Sequence, residues 1–383
     1  MSTRLKRTWA EIDLDNLEHN FNVIRKQVGP EAKLLGVVKA AAYGHGAVRV
    51  AKKLSELGAA YLAVSNMEEA AELRAGGVTL PILILGYTPA DQGERIVRLS
   101  ITQAVTDLAA ARAYDEAAAR LGERMKVHIK LDTGMGRLGF QCDGGHFDAS
   151  LRGILEILKL EHLDVEGVFT HFAVSDEDAP DCVAFTKTQH ERFARMIDAA
   201  ERAGTFRFRL RHCCNAGGIA SYPEWAWDMV RCGILLYGTG GLAERMGMRP
   251  VMRLKTVVST VKEFDEGMPV SYGLTYRTSR RSRVAVLPIG YADGLHRALS
   301  NKLTVHTPYG DAPQVGRICM DMCMIDVTDM PDLKTGDEIE VYGGCALCET
   351  AAKLAGTISY ELLCAVSKRV PRIYFEDGKV VDL

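Results

Sequence analysis

The chain has 383 residues, of which 47% are hydrophobic and 25% are charged, a composition typical of a globular protein. This length exceeds the usual single-domain range of about 100–200 residues, so two domains are predicted. The net charge of -2 gives no electrostatic reason to expect nucleic-acid binding, and no apolar run approaches the ~20 residues that span a membrane.

Strand-like and helical segments alternate over the first 240 residues. Eight apolar runs have the length of buried strands: Lys33–Lys39, Tyr61–Ser65, Pro81–Gly86, Gln103–Asp107, Met125–Leu131, Val165–His171, Phe208–His212 and Met229–Tyr237. The clearest helical segments between them are Asn16–Val28, Ala47–Leu57, Met67–Ala75, Leu108–Leu121 and Thr186–Ala203. Eight such units in about 240 residues predict an α/β fold with an N-terminal (β/α)8 TIM-type barrel over residues 1–240.

The pattern changes after residue 240. Short β-rich runs separated by Gly, Pro and Asp follow: Leu254–Phe264, Val270–Tyr276, Arg283–Leu287, Leu303–Thr307, Cys319–Val327 and Glu338–Tyr342. Two late helices are predicted, at Glu349–Leu354 and Tyr360–Val366. Residues 241–383 are therefore predicted to form a mostly β C-terminal domain.

Ten cysteines accompany an N-terminus that lacks the apolar core of a signal peptide. Reduced thiols in a cytoplasmic protein are the expectation. Cys345 and Cys348 form one CxxC pair, but a closed zinc site needs four ligands and no second pair has suitable spacing. No metal is expected.

Lys39 stands where the first apolar run ends and a glycine-containing segment, ending at Gly44 and Gly46, begins. A desolvated lysine loses its proton more easily, and a neutral amine can form a Schiff base with an aldehyde. Taken alone, such a lysine is more often a surface residue whose stem lies on apolar neighbours.

Polar residues collect at the predicted carboxyl ends of the barrel strands, where the chemistry of such barrels takes place. They are Lys39, Tyr43, Lys130, Asp132, Arg137, His171, His212, Asn215 and Arg231. So many on one face of the predicted barrel indicate an active site.

The chain resembles alanine racemases, fold-type III enzymes that depend on pyridoxal 5'-phosphate (PLP), over nearly its whole length. The matching motifs are Val38–Gly46, Lys130–Arg137, Asp228–Gly233, Val270–Gly273, Gly290–Gly294 and Gly316–Asp321. All of them occur in the order of the family, with the change of domain in the expected place.

The resemblance implies a two-base racemisation of alanine. Lys39 would hold PLP covalently and act as one acid/base, and Tyr272 from the partner subunit would act on the opposite face. A phenol normally titrates near pH 10, so it needs help to act as a base. By resemblance, His171 and Arg231 provide it, and Arg231 also faces the pyridine nitrogen of the cofactor.

The resemblance assigns the remaining site residues as well. Arg137 and the backbone N–H of Met320 would hold the substrate carboxylate, and Lys130 would be carbamylated to orient Arg137. The alternative for Lys130 is a simple ion pair with Asp132. Further members of the implied site are the cofactor contacts Tyr43, Asn215, Gly233, Ile234 and Tyr360, the substrate contact Tyr291, and the supporting residues Arg317, Cys319 and Asp321.

The chain departs from the family at two positions near the implied cofactor. Ala216 replaces a serine that usually contacts the phosphate, and Ala41 replaces the usual asparagine of the lysine motif. One lost hydrogen bond to a charged group costs about 1.5–3 kcal/mol. PLP is still expected to bind, through its covalent bond and its other contacts.

Substrate and assembly follow from the same resemblance. Tyr360 and Tyr291 look like the tyrosines that narrow the pocket to the size of a methyl group, which favours alanine, with D-alanine going to peptidoglycan. A serine or broader-specificity racemase of the same fold is the alternative, and a non-catalytic PLP-binding protein is a third possibility.

A shared active site implies a homodimer, with a small amino acid as the substrate and no nucleic-acid or membrane partner.

Overall fold

The computed structural model describes residues 7–343 and 345–381, with backbone alone for residues 345–347. Cys345, one half of the CxxC pair, therefore has a side chain outside the described part, and residues 1–6 lie outside it altogether. Two compact units are present. The barrel unit comprises Phe21–Ala42 and Ala47–Leu236, and the β unit comprises the described residues of Met1–Asn20, Tyr43–Gly46 and Tyr237–Leu383.

Eight parallel strands form the nearly closed barrel. In chain order they are Lys33–Val37, Tyr61–Val64, Ile82–Ile84, Thr102–Val105, Met125–Asp132, Leu163–Phe169, Leu210–His212 and Met229–Cys232, called here the first to eighth barrel strands. The first seven strands pair in parallel in chain order, and the eighth pairs in parallel with the first. Between the seventh and eighth strands, the backbone N–H groups of Asp228 and Arg231 donate to the carbonyls of Arg211 and Cys214.

The predicted (β/α)8 barrel is confirmed, with strand ends that differ from the predicted runs by a few residues. The strands are continuous apolar runs because helices cover the sheet on its outer face and side chains fill its interior. The helices are Leu14–Val28, Ala47–Glu56, Met67–Ala75, Gly93–Arg98, Leu108–Leu121, Phe147–Ile157, Pro180–Gly204 and Ala216–Ser221. Asn66, Asp107 and Asn215 cap three of them by accepting a backbone N–H three residues on.

The β unit is built around a ten-stranded sheet. Its strand order is Thr260–Phe264, Ser282–Leu287, Cys323–Asp326, Gly310–Val315, Thr304–Thr307, Glu338–Tyr342, Met252–Val257, Thr8–Asp13, Arg372–Glu376 and Lys379–Val381. A small hairpin joins Pro269–Val270 to Tyr276–Arg277. Its helices are Gly241–Arg245, Cys345–Ala355 and Ser359–Ala365. The mostly β character predicted for this part of the chain is confirmed.

The strand Thr8–Asp13 lies far from its sheet neighbours in sequence. It pairs antiparallel with Met252–Val257 and parallel with Arg372–Glu376. The sequence pattern did not predict this strand, because its partners are more than 200 residues away and no local turn marks the pairing. In the described ranges, no helix is both long and apolar enough to cross a membrane.

Candidate active site

The strand ends of the barrel unit carry most of the polar residues that the sequence singled out. Lys39 follows the first strand by two residues, Lys130 and Asp132 end the fifth, and His171 follows the sixth by two residues. His212 ends the seventh strand, and Arg231 lies in the eighth. Arg231 Nη2 lies 3.4 Å from His171 Nδ1, and the charges of Arg231, Lys130, Arg137 and Lys39 all lower the pKa of His171.

The turn after Lys39 has an unusual backbone. Ala40, Ala41, Ala42 and Tyr43 have φ between 52° and 54°, which is a left-handed turn of four consecutive non-glycine residues. This conformation costs roughly 1–2 kcal/mol per residue, and asparagine tolerates it better than alanine does. The turn explains why asparagine suits position 41, and why Ala41 is the more strained choice.

Glu69 secures this turn, and sequence reasoning missed it. Its two carboxylate oxygens accept from the backbone N–H groups of Ala40 and Ser65, each at 2.7 Å. Asn66, the N-cap of the same helix, accepts from the backbone of Glu69 at 3.0 Å. The N-cap residue followed three positions later by Glu is a capping-box pattern, which is the signal that could have indicated Glu69.

Arg231 is held in one orientation by the strands around it. It is 3% exposed, and its guanidinium donates to the carbonyls of Thr170, His212 and Cys213 at 2.7–3.1 Å. Its Nη1 also lies 3.1 Å from His212 Nδ1. Burial lowers the pKa of Arg231 to about 10, so the side chain stays charged at neutral pH.

His171 lies between two hydrogen-bond donors. Arg231 Nη2 lies 3.4 Å from His171 Nδ1, and Asn215 Nδ2 lies 3.4 Å from His171 Nε2. A guanidinium and an amide NH2 both donate, so each ring nitrogen of His171 faces a donor. Burial and the nearby charge of Arg231 hold the pKa of His171 well below its usual range. His171 is therefore a neutral imidazole.

Lys130 is a buried lysine among other cations. Its Nζ donates to the Leu131 carbonyl at 2.8 Å, and burial together with Arg231 lowers its pKa to about 7. In the described part of the chain, no carboxylate lies within ion-pair distance of Lys130. The carboxylate of Asp132 instead accepts the backbone N–H groups of Gly134, Gly136 and Arg137 at 3.0–3.1 Å. This arrangement does not support the simple Lys130–Asp132 ion pair.

Gly139 allows the chain to pass close to Lys130. A Cβ at this position would lie 2.6 Å from the Lys130 carbonyl oxygen, and the backbone φ is 113°. Only glycine meets both demands. The segment that carries Arg137, which is exposed, is thereby folded back over the end of the fifth strand.

We expect the shifted pKa of Lys130 to appear in the pH dependence of stability. In CO2-free buffer the folded pKa of about 7 lies below the ordinary value of 10.5, so the unfolded chain binds more protons between these values. The free energy of unfolding therefore rises with pH in this window. Lys130→Met should reduce that slope by up to about 1.4 kcal/mol per pH unit.

Denaturant titrations from about pH 8 to about pH 10 measure this slope, within the range that the two pKa values define. Lys126→Met is the matched control, because Lys126 lies on the same strand and is exposed. Equal slopes in the native protein and in Lys130→Met would contradict the assigned pKa.

The β unit holds a second group of the predicted residues, centred on Tyr272. Ser271 has φ of 68°, and its Oγ donates to the Arg317 carbonyl at 2.6 Å and lies 3.5 Å from Cys319 Sγ. These contacts hold the turn that carries Tyr272, whose side chain is 70% exposed. Arg317 and Cys319 thus position the backbone next to Tyr272.

Tyr291, Met320 and Asp321 lie on adjoining segments of the same unit. The Tyr291 N–H donates to the Cys319 carbonyl at 3.0 Å, and the Ala292 N–H donates to the Met320 carbonyl at 3.0 Å. Asp321 accepts from Arg369, which sequence reasoning missed because it lies 48 residues away. The exposed fractions of Tyr291 and Met320 are 44% and 54%, so the segment presents an aromatic and apolar surface.

Tyr43 and Tyr360 also belong to the β unit. Their rings meet edge to face with centroids 6.2 Å apart, and the Tyr43 ring lies 4.9 Å from that of Tyr237. Burial raises the pKa of Tyr43 well above its usual range. The Tyr43 hydroxyl therefore remains protonated at any physiological pH and can donate a hydrogen bond.

The segments after the last two barrel strands contain Asn215, Ala216, Gly233 and Ile234. Asn215 Oδ1 accepts from Ser175 Oγ at 2.8 Å and from the Gly218 N–H at 3.1 Å. Gly233 and Ile234 are buried directly after the eighth strand. A Cβ on Gly217, next to Ala216, would lie 2.4 Å from Ser175 Oγ, so these loops pack closely.

Comparisons with known proteins agree with this arrangement. The N-terminal domain of alanine racemase matches residues 12–240, and the C-terminal domain of alanine racemase matches residues 251–374. The "Alanine racemase 2" of Caldanaerobacter subterraneus subsp. tengcongensis is 44% identical over 100% of this chain and 98% of its own. The alanine racemase of Desulfovibrio desulfuricans is 45% identical, over 96% of this chain and 98% of its own.

The solved structures point the same way. The structure of alanine racemase from Clostridium difficile 630 has a TM-score of 0.92 and 41% identity, covering 99% of this chain and 98% of that one. A cluster of polar residues at the strand ends of a (β/α)8 barrel, followed by a mostly β domain, is the two-domain arrangement of the proteins that match this chain. The chain belongs to the alanine racemase family, and its activity is the interconversion of the two enantiomers of alanine.

Proposed function

We propose that the chain racemises alanine with PLP as its cofactor, with Lys39 and Tyr272 of the partner subunit as the two acid/base groups. The observation that carries the proposal is the charge of the strand-end cluster. Arg231, Arg137 and Lys39 are cations, and the charge of each lowers the pKa of His171. A site of this kind fits an anionic cofactor and an anionic substrate.

When bound, PLP supplies an electron sink that makes the α-proton of the amino acid removable. The chain supplies the proton-transfer groups. The Lys39 amine removes or returns the proton on one face, and the Tyr272 hydroxyl does so on the other. His171 is proposed to help Tyr272, because an imidazole N–H that donates to a phenolate lowers the pKa of the phenol.

Arg231 is proposed to face the pyridine nitrogen. A guanidinium has no acceptor and cannot give up its proton near neutral pH, so it leaves the ring nitrogen unprotonated. A neutral ring is a weaker electron sink than a protonated one. Arg231 would thereby favour return of the proton to the same carbon and would limit side reactions such as transamination.

The substrate carboxylate is assigned to Arg137 and the backbone N–H of Met320, since a guanidinium can bind a carboxylate through two parallel hydrogen bonds. Lys130 is proposed to be carbamylated. Its lowered pKa supports this, because the neutral amine is the form that attacks CO2. The resulting anion would replace a repulsive cation beside Arg137 and would orient the guanidinium.

The cofactor phosphate is assigned to Tyr43, Tyr360 and the backbone of Gly233 and Ile234, with Asn215 nearby as a further cofactor contact. The protonated Tyr43 hydroxyl supports this assignment, because a phosphate requires donors. Ala216 offers no hydroxyl, so the N–H groups of its glycine neighbours would contribute instead.

The active form is proposed to be a homodimer with shared sites. Tyr272, Leu274, Met320 and Met322 are each more than half exposed in the described single chain. Such an exposed aromatic and apolar patch on one unit marks an interaction surface. Arg317, Cys319 and Asp321 act as supporting residues that hold this surface in shape.

The proposed substrate is alanine, and the proposed role is to supply D-alanine for peptidoglycan in the cytoplasm. Tyr360 and Tyr291 are bulky residues suited to limiting the side-chain pocket to a methyl group. A hydrophobic pocket discriminates by about 1–3 kcal/mol for a methylene-sized difference, so slow turnover of serine is compatible with this assignment. A serine or broader-specificity racemase remains the alternative.

Chiral chromatography of PLP-supplemented protein, incubated separately with L-alanine and L-serine, tests the function. D-alanine should form at least about tenfold faster than D-serine. Tyr360→Ser should narrow that ratio, while Tyr309→Ser, which changes an exposed tyrosine of the same unit, should leave it unchanged. Faster formation of D-serine would move the assignment to a serine racemase. If neither L-alanine nor L-serine gave a D-product, the protein would racemise neither amino acid.

A further inference from the structure

Three side chains extend from Arg231 through the interior of the barrel, beyond the residues assigned above. His212 Nε2 lies 2.9 Å from His128 Nδ1, and His128 Nε2 lies 3.4 Å from Glu166 Oε2. Both imidazoles are 0% exposed. With the 3.1 Å contact between Arg231 Nη1 and His212 Nδ1, they form a continuous chain from a buried cation to a carboxylate.

The direction of every hydrogen bond in this chain follows from its two ends. Arg231 can only donate, so His212 Nδ1 accepts and the His212 proton is on Nε2. That proton is donated to His128 Nδ1, which leaves the His128 proton on Nε2, facing Glu166. The Glu166 carboxylate can only accept, so the proton positions required by Glu166 are the same as those required by Arg231. Both histidines have one permitted tautomer.

The surroundings keep both rings neutral and Glu166 ionised. Burial holds the pKa of His212 well below its usual range, and it also lowers the pKa of His128. Burial by itself would raise the pKa of Glu166, but hydrogen bonds from His128 and Tyr61 outweigh it and lower the pKa. Lys126 and Arg209 lie 3.6 Å and 4.0 Å from the other carboxylate oxygen.

We propose that Glu166 is a positioning residue for the racemase site, acting through His128 and His212 on Arg231. Its negative charge makes His212 Nδ1 a better acceptor and forbids the tautomer that would point a proton at the guanidinium. If the His128 proton were on Nδ1, it would be donated to His212 Nε2, and the His212 proton would then be on Nδ1. That Nδ1–H would face the N–H of Arg231, so two donors would meet. The inference rests on the proposed role of Arg231 at the cofactor.

The first test measures the tautomers directly. Protein labelled with ¹⁵N-histidine is examined by NMR, and the two rings are assigned with His128→Asn and His212→Asn. In the native protein both are expected to be neutral with the proton on Nε2, with or without PLP. A protonated ring, or a proton on Nδ1 of either ring, would overturn the proposal even if the native protein racemises alanine normally.

The second test removes the charge with Glu166→Gln. Mixed tautomers at His128 and His212 are expected, together with a kcat about tenfold lower and a KM changed by less than about twofold, the usual effect of losing an outer hydrogen-bond partner. Asp164→Asn is the matched control: Asp164 lies on the same strand and shares the partner Arg209, but contacts neither histidine. In Asp164→Asn, the tautomers of His128 and His212 and the value of kcat should be those of the native protein.

The two tests separate this inference from the proposed function. If the native protein formed no D-alanine, the proposed function would be wrong, but the tautomers of His128 and His212 could still be measured by NMR. If Glu166→Gln kept single tautomers and native kcat, the positioning role would be wrong although the enzyme is a racemase. Should Glu166→Gln fail to fold, the native tautomers still decide the outcome.

Discussion

Lys39→Ala is expected to lower kcat for alanine racemisation by at least about 1000-fold, because it removes the proposed covalent attachment of the cofactor and one of the two proposed acid/base groups. The visible absorption of lysine-bound PLP should disappear at the same time. Chiral chromatography measures the first effect, and absorption spectroscopy of the PLP-supplemented protein measures the second. The left-handed turn that begins at Ala40 should remain, since Glu69 holds it through the backbone.

Lys33→Ala is the matched control for this prediction. Lys33 begins the same barrel strand that Lys39 follows, and it is exposed. Its replacement should leave both the activity and the absorption band unchanged. Substantial racemisation by Lys39→Ala would show that another group carries the cofactor and the proton.

Tyr272→Phe is expected to reduce racemisation by roughly 10²–10⁴-fold, because it removes the proposed acid/base group of one face. The two enantiomers are equally stable, so kcat/KM must fall equally in both directions. The asymmetry should instead appear in the exchange of the α-proton with deuterium from solvent. The enantiomer whose proton faces Lys39 should still exchange, while the other should not.

Tyr309→Phe is the control, since Tyr309 is 45% exposed in the same unit and lies outside the Tyr272 turn. Both enantiomers should exchange at native rates in this variant. If Tyr272→Phe slowed exchange of both enantiomers to a similar, small extent, Tyr272 would have no face-specific role.

Mixing the two inactive chains tests whether Tyr272 acts across a dimer. In a hybrid of Lys39→Ala with Tyr272→Phe, one of the two shared sites would combine an intact Lys39 with an intact Tyr272 from the other chain. Random pairing should then restore roughly a quarter of the native activity. No recovery in hybrids of confirmed composition would contradict a shared site.

Local patterns account for the parts of the fold that were predicted well. The eight barrel strands are short apolar runs separated by helices, and each can be recognised within a window of about ten residues. Lys39 stands out for the same reason, because the apolar run and the glycines beside it are contiguous. The motif around Lys130 and Arg137 is likewise a single stretch of chain.

Contacts between distant segments could not be predicted in this way. Glu69 supports the Lys39 turn from a helix that follows a different strand, and Arg369 reaches Asp321 from near the C-terminus. The strand Thr8–Asp13 joins two partners that lie far along the chain. Such contacts depend on the tertiary fold, so a short window of sequence cannot predict them.

The sequence by itself determined the barrel, the β domain, the family and the residue types at the strand ends, because these depend on local hydrophobic period and contiguous motifs. The tertiary structure decided the chemical state of those residues. Lys130 has a pKa of about 7 because it is buried beside Arg231, which lies 101 residues further on. His212 and His128 have defined protons because a cation and a carboxylate from different strands lie at the two ends of their hydrogen bonds.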